Sequence, residues 1–95
     1  MEVLSKLVDL VVRLYQETDG YIENPTDAQL WYNRGYANGM VKVLREQGVT
    51  EQLESSLHLD DEGLHGDDRV MAWAQAYHHG FEMGEKEARE VLPAA

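Results

Sequence analysis

Residues 27–40 read DAQLWYNRGYANGM, and residues 68–81 read DRVMAWAQAYHHGF. With a shift of 41 positions, Asp27 falls on Asp68, Leu30 on Met71, Tyr32 on Trp73, Gly35 on Ala76, Tyr36 on Tyr77, Gly39 on Gly80 and Met40 on Phe81. The shared pattern is an acidic start, an aromatic, and then small–Tyr–x–x–Gly–apolar. Both copies have helical spacing. Val70, Trp73, Tyr77, Phe81, Gly84, Ala88 and Val91 step by three and four along one face. Tyr32, Gly35, Tyr36, Gly39 and Val43 do the same, with Leu30, Ala37, Val41 and Leu44 beside them. A glycine inside a helix costs about 0.5–1 kcal/mol relative to alanine, so Gly35, Gly39, Gly80 and Gly84 together cost roughly 2–4 kcal/mol. The expected offset is close approach of two helix backbones, with tyrosine and tryptophan rings packed over the glycine gaps. The two copies are expected to pack on each other, or on their equivalents in a second subunit.

Around these stretches the chain divides into helices and short breaks. Residues 2–18 form a first helix whose core stripe is Leu4, Leu7, Val8, Val11, Leu14 and Tyr15, with Gly20 as its C-terminal cap. Val3, Leu10 and Val12 widen the apolar surface, so this helix is either covered on two sides or shared with a second subunit. The segment 19–26, DGYIENPT, is a loop. The next helix is capped by Asn24 before Pro25, or by Thr26 with Gln29 three residues on. It runs to about Gln47 and stops at Gly48. Thr50 caps a short helix that carries Val49, Leu53 and Leu57 on one side. Residues 58–67, HLDDEGLHGD, read as an exposed loop. Asp67 or Asp68 starts the last helix, and Pro93 ends it. The expected architecture is all-α: one domain, residues 1–95, a small bundle of three long helices and one short helix, with a pseudo-repeated helix at 27–40 and 68–81.

There is no cysteine, hence no disulfide framework and no thiol chemistry. Glu2, Lys6, Asp9 and Arg13 interrupt the apolar N-terminal stretch, which excludes a spanning helix there. The expected setting is cytoplasmic. The net charge of −10 is unevenly placed. Residues 46–68 carry Glu46, Glu51, Glu54, Asp60, Asp61, Glu62, Asp67 and Asp68 with no lysine or arginine, while the segments on either side are nearly neutral. Direct binding to nucleic acid, or to an anionic membrane, is disfavoured because both need clustered basic residues.

The acidic block is the main functional candidate. Glu51, Glu54, Asp60, Asp61, Glu62, Asp67 and Asp68 are read as a partner-binding patch that docks on a basic surface, speeding encounter and fixing orientation. The alternative is a solvated, solubilising connection. His58, His65, His78 and His79 match no ligand spacing with a known mechanism, so neither a metal nor any other cofactor is expected. His79 is expected beside Tyr77 and Met83. Trp31 lies beside the main stripe and reads as core or, alternatively, as an exposed binding anchor. Ser5, Ser55 and Ser56 lack a nucleophile-elbow context. Glu51-x-x-Glu54 and Glu82-x-x-Glu85 resemble the paired acidic motifs of all-α nucleotide pyrophosphohydrolases of the MazG type. That resemblance implies Mg²⁺ held between two helices, with Glu85 standing where the family has aspartate. It is one alternative function; a self-associating helical module, dimeric through the first helix, is another.

Gly35-Tyr36-Ala37-Asn38-Gly39, Ala76-Tyr77-His78-His79-Gly80 and the acids of 46–68, in a short cysteine-free helical chain, resemble small acidic proteins of phages and mobile elements. Anti-restriction and anti-CRISPR inhibitors are among these. The resemblance implies a non-enzymatic protein that occupies the nucleic-acid site of a basic partner in the host cytoplasm, as a nucleic-acid mimic. An antiparallel packing of the two copies would anchor both ends of the acidic connection.

Overall fold

The computed structural model describes residues 2–55, 57–61, 65 and 70–92. These residues form α1 (Glu2–Glu17), a 3-10 turn (Tyr21–Glu23), α2 (Ala28–Glu46), a one-turn helix α3 (Glu51–Glu54) and α4 (Ala72–Val91), and no strand occurs among them. The all-α class and the three long helices agree with the periodicity. The short helix is a single turn.

The helix ends follow from local chemistry. Past α1, Thr18 donates both its amide and its hydroxyl to the Leu14 carbonyl, at 3.0 and 2.6 Å. Gly20 then takes a φ of 78°, which turns the chain into Tyr21. The start of α2 departs from expectation. Neither Asn24 nor Thr26 is the cap: Asp27 Oδ1 accepts the Leu30 amide at 3.1 Å. Asn24 instead braces the turn, with its side chain on the Gly20 carbonyl and its own carbonyl accepting Trp31 Nε1. At the far end Gly48 has φ 72°, and the Val49 amide reaches back to the Leu44 carbonyl, so the helix closes as its glycine predicts. Thr50 precedes α3, but its hydroxyl makes no cap bond. The last helix begins at Ala72, with Met71 at the cap position and no side-chain cap. That is later than Asp67 or Asp68, and both of those lie outside the described residues, as does Pro93.

The centre of the molecule is the pair α2 and α4, which run parallel. Lys42 meets Glu85 and Glu46 meets Arg89 near their C-terminal ends, while Trp31 meets Trp73 near their N-terminal ends. Their backbones touch at the glycines. A Cβ on Gly35 would fall on the carbonyl oxygen of Tyr77, and one on Gly39 on that of Phe81. A Cβ on Gly80 would fall on the carbonyl of Tyr32, and one on Gly84 on that of Tyr36. The expected close approach is therefore present, but facing carbonyls fill the glycine gaps, not rings. Such glycine-to-carbonyl contacts let Cα–H groups and carbonyl oxygens attract each other weakly.

These contacts are reciprocal only if Gly35 is matched with Gly80 and Gly39 with Gly84, a shift of 45 positions. The structural repeat is thus Gly-Tyr36-x-x-Gly against Gly-Phe81-x-x-Gly, one helical turn away from the 41-position register; over residues 27–40 each register has three identities. Four residues are close to one turn, so both registers place small residues on the same helix face. The parallel arrangement also explains the long connection. It must return the length of α2, about 28 Å at 1.5 Å per residue, before α4 can begin.

Helix α1 packs antiparallel on α2. Leu7, Val8, Val11 and Tyr15 join Ala37, Met40, Val41, Val43 and Leu44 in the main core, which Ala88 of α4 and Leu92 just past its end complete. Leu53 of α3 is fully buried there and pins the start of the connection. Burying a leucine is worth about 1.5–3 kcal/mol. The extra apolar residues of α1 divide: Leu10 and Val12 pack partly against the core, and Val3 stays 38% exposed.

Candidate functional site

Two polar residues sit on the buried face of α2. Arg34 and Asn38 are one turn apart and stand between Trp31 and Val41 on the same stripe. Arg34 is 6% exposed and lies between two tyrosine rings, 3.9 Å from the Tyr15 centroid and 4.5 Å from the Tyr21 centroid. Its Nε donates to Thr18 Oγ1 at 2.8 Å, and its Nη2 to the carbonyls of Tyr15 and Thr18. Its Nη1 donates to Asp60 Oδ2 at 3.2 Å, an ion pair with both side chains largely out of water.

Asp60 is where the connection is tied to the bundle. Besides Arg34, its Oδ2 accepts from Asn38 Nδ2 at 2.9 Å and from the Tyr21 hydroxyl at 3.1 Å. Its amide donates to the Tyr15 hydroxyl, which in turn donates to Asn38 Oδ1. Asn38 Nδ2 also donates to the Tyr77 hydroxyl at 2.8 Å. Each of these side chains thus has at least one hydrogen-bond partner, as a low-dielectric interior requires.

His65 closes the cluster on its other side. Its Nε2 lies 2.7 Å from the Tyr21 hydroxyl, and its ring meets Tyr21, Trp31, Trp73 and Tyr77 edge-on. With the Tyr21 proton on Asp60, the Nε2–H tautomer of His65 donates to the phenol oxygen. Burial pushes the His65 pKa down; Asp60 acts against this, and His78 and Arg34 add to it. Burial likewise pushes Tyr77 up to about 12, against the Asn38 hydrogen bond, and raises Tyr15 and Tyr21. These tyrosines stay protonated and hold the network.

The candidate acids fall into three groups. Glu51, Glu54 and Asp61 are exposed, and among the described residues none has an ion-pair partner. Asp60 faces inward as the counter-ion of Arg34. Glu62, Asp67 and Asp68 lie outside the described residues. Of the other acids, Glu46 bonds Arg89, whose hydrogen bond holds both Glu46 and Glu85 below the usual carboxylate range.

Glu85 is also bonded to Lys42 at 3.2 Å, so it bridges α2 and α4. Among the described residues no group of three or more His, Cys, Asp or Glu side chains is placed to hold a metal. Trp31 is core, 3% exposed and 4.5 Å from Trp73. His79 is not beside Tyr77: it is exposed and lies edge-on to Tyr32, while His78 meets Tyr77.

A cavity of about 660 Å³ opens over this cluster, between the end of α1, the 3-10 turn and residues 57–60. Tyr15, Tyr21, Arg34 and Asp60 border it from the bundle side. Its walls include Asp19, Ile22, Glu23 and Leu57.

Sequence pattern alone does not mark Arg34, Asn38, Thr18 or Tyr21 as site residues. One signal was available: Trp31, Arg34, Asn38 and Val41 step by three, four and three, which puts two polar residues on a buried stripe. The partner of that stripe, Asp60, was hidden among equivalent acids.

The class defined so far is an all-α bundle built on a parallel, glycine-apposed helix pair with one buried arginine–aspartate tie. No known family, curated protein or solved structure matches the chain. No helix of the described residues is long and apolar enough to cross a membrane.

Proposed function

We propose that this chain is a non-enzymatic docking protein that binds the basic surface of a nucleic-acid-handling partner and modulates it. The observation that supports this is the exposure of Glu51, Glu54 and Asp61, all without an ion-pair partner among the described residues, in a block of net charge −8. Leu53 and Asp60, which neighbour these acids in the chain, are anchored in the bundle. The carboxylates therefore stand on a rigid frame, which lowers the ordering cost of binding. Occupation of the partner's nucleic-acid site, as the inhibitors it resembles do, follows from the same charge.

The test is capture of partners from lysate with the full chain, compared with a variant carrying Glu51→Lys, Glu54→Lys and Asp61→Lys. All three positions are exposed, so helicity is expected to stay unchanged. The reversed variant is expected to lose basic, nucleic-acid-binding partners, and capture by the original chain should weaken as salt rises. Undiminished, salt-insensitive capture by the reversed variant would overturn the proposal.

A further inference from the structure

We infer that the cavity beside the 3-10 turn receives an arginine side chain from a partner protein, an assignment that rests on the acidic docking reading above. The cavity is separate from the exposed acids of that reading: Asp19 and Glu23 line it, and Glu51, Glu54 and Asp61 do not. Its volume of about 660 Å³ is within the range of side-chain and small-ligand pockets, roughly 300–1,000 Å³.

Charge decides the sign of the occupant. Arg34 does not serve an anion, because Nε, Nη1 and Nη2 are already given to Thr18, Asp60 and two backbone carbonyls. Asp19 and Glu23 are exposed, and neither side chain has a hydrogen bond or ion pair among the described residues. Asp60 and Arg34 pair with each other, which leaves the two unpaired carboxylates of Asp19 and Glu23 at an opening that His58 also lines, so a cation is favoured.

Apolar surface decides which cation. Ile22, 56% exposed, and the half-buried Leu57 line the same cavity. An aliphatic stem laid on them removes apolar surface from water while its charged head reaches the carboxylates. Arginine fits better than lysine, because its weakly hydrated planar head tolerates a partly apolar wall and bonds carboxylates in pairs.

The test is a titration of the isotope-labelled full chain with a blocked leucine–arginine–leucine peptide, followed by amide chemical shifts. Saturable shifts are expected at the amides of residues 19–23 and 57–60. The same peptide with citrulline for arginine should bind weaker by about tenfold or more, as loss of a charged hydrogen bond implies. The double variant Asp19→Asn with Glu23→Gln should lose a similar factor at unchanged helicity. Absence of saturable shifts, equal binding of the citrulline or lysine peptide, or an unaffected double variant would each overturn the assignment. The two readings fail separately. If the Lys-reversed variant keeps its partners while the peptide still saturates these amides, the docking reading falls and the cavity assignment stands. A peptide that leaves these amides unmoved overturns the cavity whatever the capture experiment gives.

Discussion

At the scale of single residues, Asp60 carries more structural weight than any other acid among the described residues. Its Oδ2 is the common acceptor for Arg34, Asn38 and Tyr21, so it ties the connection to α2 and to the 3-10 turn at once. Replacing only one member of a buried ion pair leaves the other charge uncompensated. We expect Asp60→Asn to destabilise the fold by about 3 kcal/mol, the lower end of the range for buried pairs because Asp60 keeps some contact with water. Thermal melts would show this as a fall in Tm of roughly 4–8 °C per kcal/mol for a chain of this size. Adding Arg34→Met to Asp60→Asn should cost less than the two single changes summed, because the orphaned charge is then gone. A strictly additive double variant would count against the tie. Composition treats all the acids of 46–68 alike. Only the fold separates Asp60, which is structural, from Asp61 next to it, which is exposed.

At the scale of elements, the parallel pairing of α2 and α4 depends on four glycines that admit a carbonyl where a side chain would stand. An alanine at Gly35 would recover about 0.5–1 kcal/mol of helix propensity. It would also drive a methyl group into the Tyr77 carbonyl, and a helix backbone has no rotamer to yield. The net effect expected for Gly35→Ala is a loss of about 1–3 kcal/mol, the cost of overpacking. Gly35→Ala combined with Gly80→Ala should lose less than the sum, since the first displacement opens room for the second. Thermal melts of the three variants check both statements; unchanged stability in Gly35→Ala would mean that the helices do not touch there. The glycines showed from sequence that two helix backbones meet. They did not show the register or the direction, because one turn of slip keeps the same residues on the same face.

At the scale of the molecule, stability should depend on pH from both ends. Tyr77 is raised to about 12 in the fold, from about 10 unfolded. A group raised in the folded state contributes stability that is complete below the unfolded value and is lost as pH rises through the folded one. Denaturant melts should therefore show stability falling between about pH 10 and pH 12, with Tyr15 and Tyr21 acting in the same direction. His65 is lowered, so its contribution is present above the unfolded value of about 6.5 and is lost as pH falls through the folded one. Carboxylates titrate lower, near pH 4, so the first loss on acidification belongs to the imidazole. In His65→Gln that first loss should be missing. An identical acid limb in the variant and the original chain would remove His65 from the account.

The sequence alone determined the helical class, the three long helices and the position of the acidic block. Helical period, glycine stops and charge counting are local properties, and tertiary contacts left them intact. It also pointed to two backbones approaching closely, because four helical glycines cost stability that such an approach offsets. The tertiary structure decided the rest. It made the helix pair parallel, set its register at Gly35 with Gly80, and moved the start of α4 to Ala72. It also separated Asp60, a partly enclosed counter-ion, from the exposed Glu51, Glu54 and Asp61. Those outcomes depend on which buried polar groups meet. Arg34 needs a partner once it is enclosed between Tyr15 and Tyr21, and among the acids of the returning connection the fold places Asp60 there.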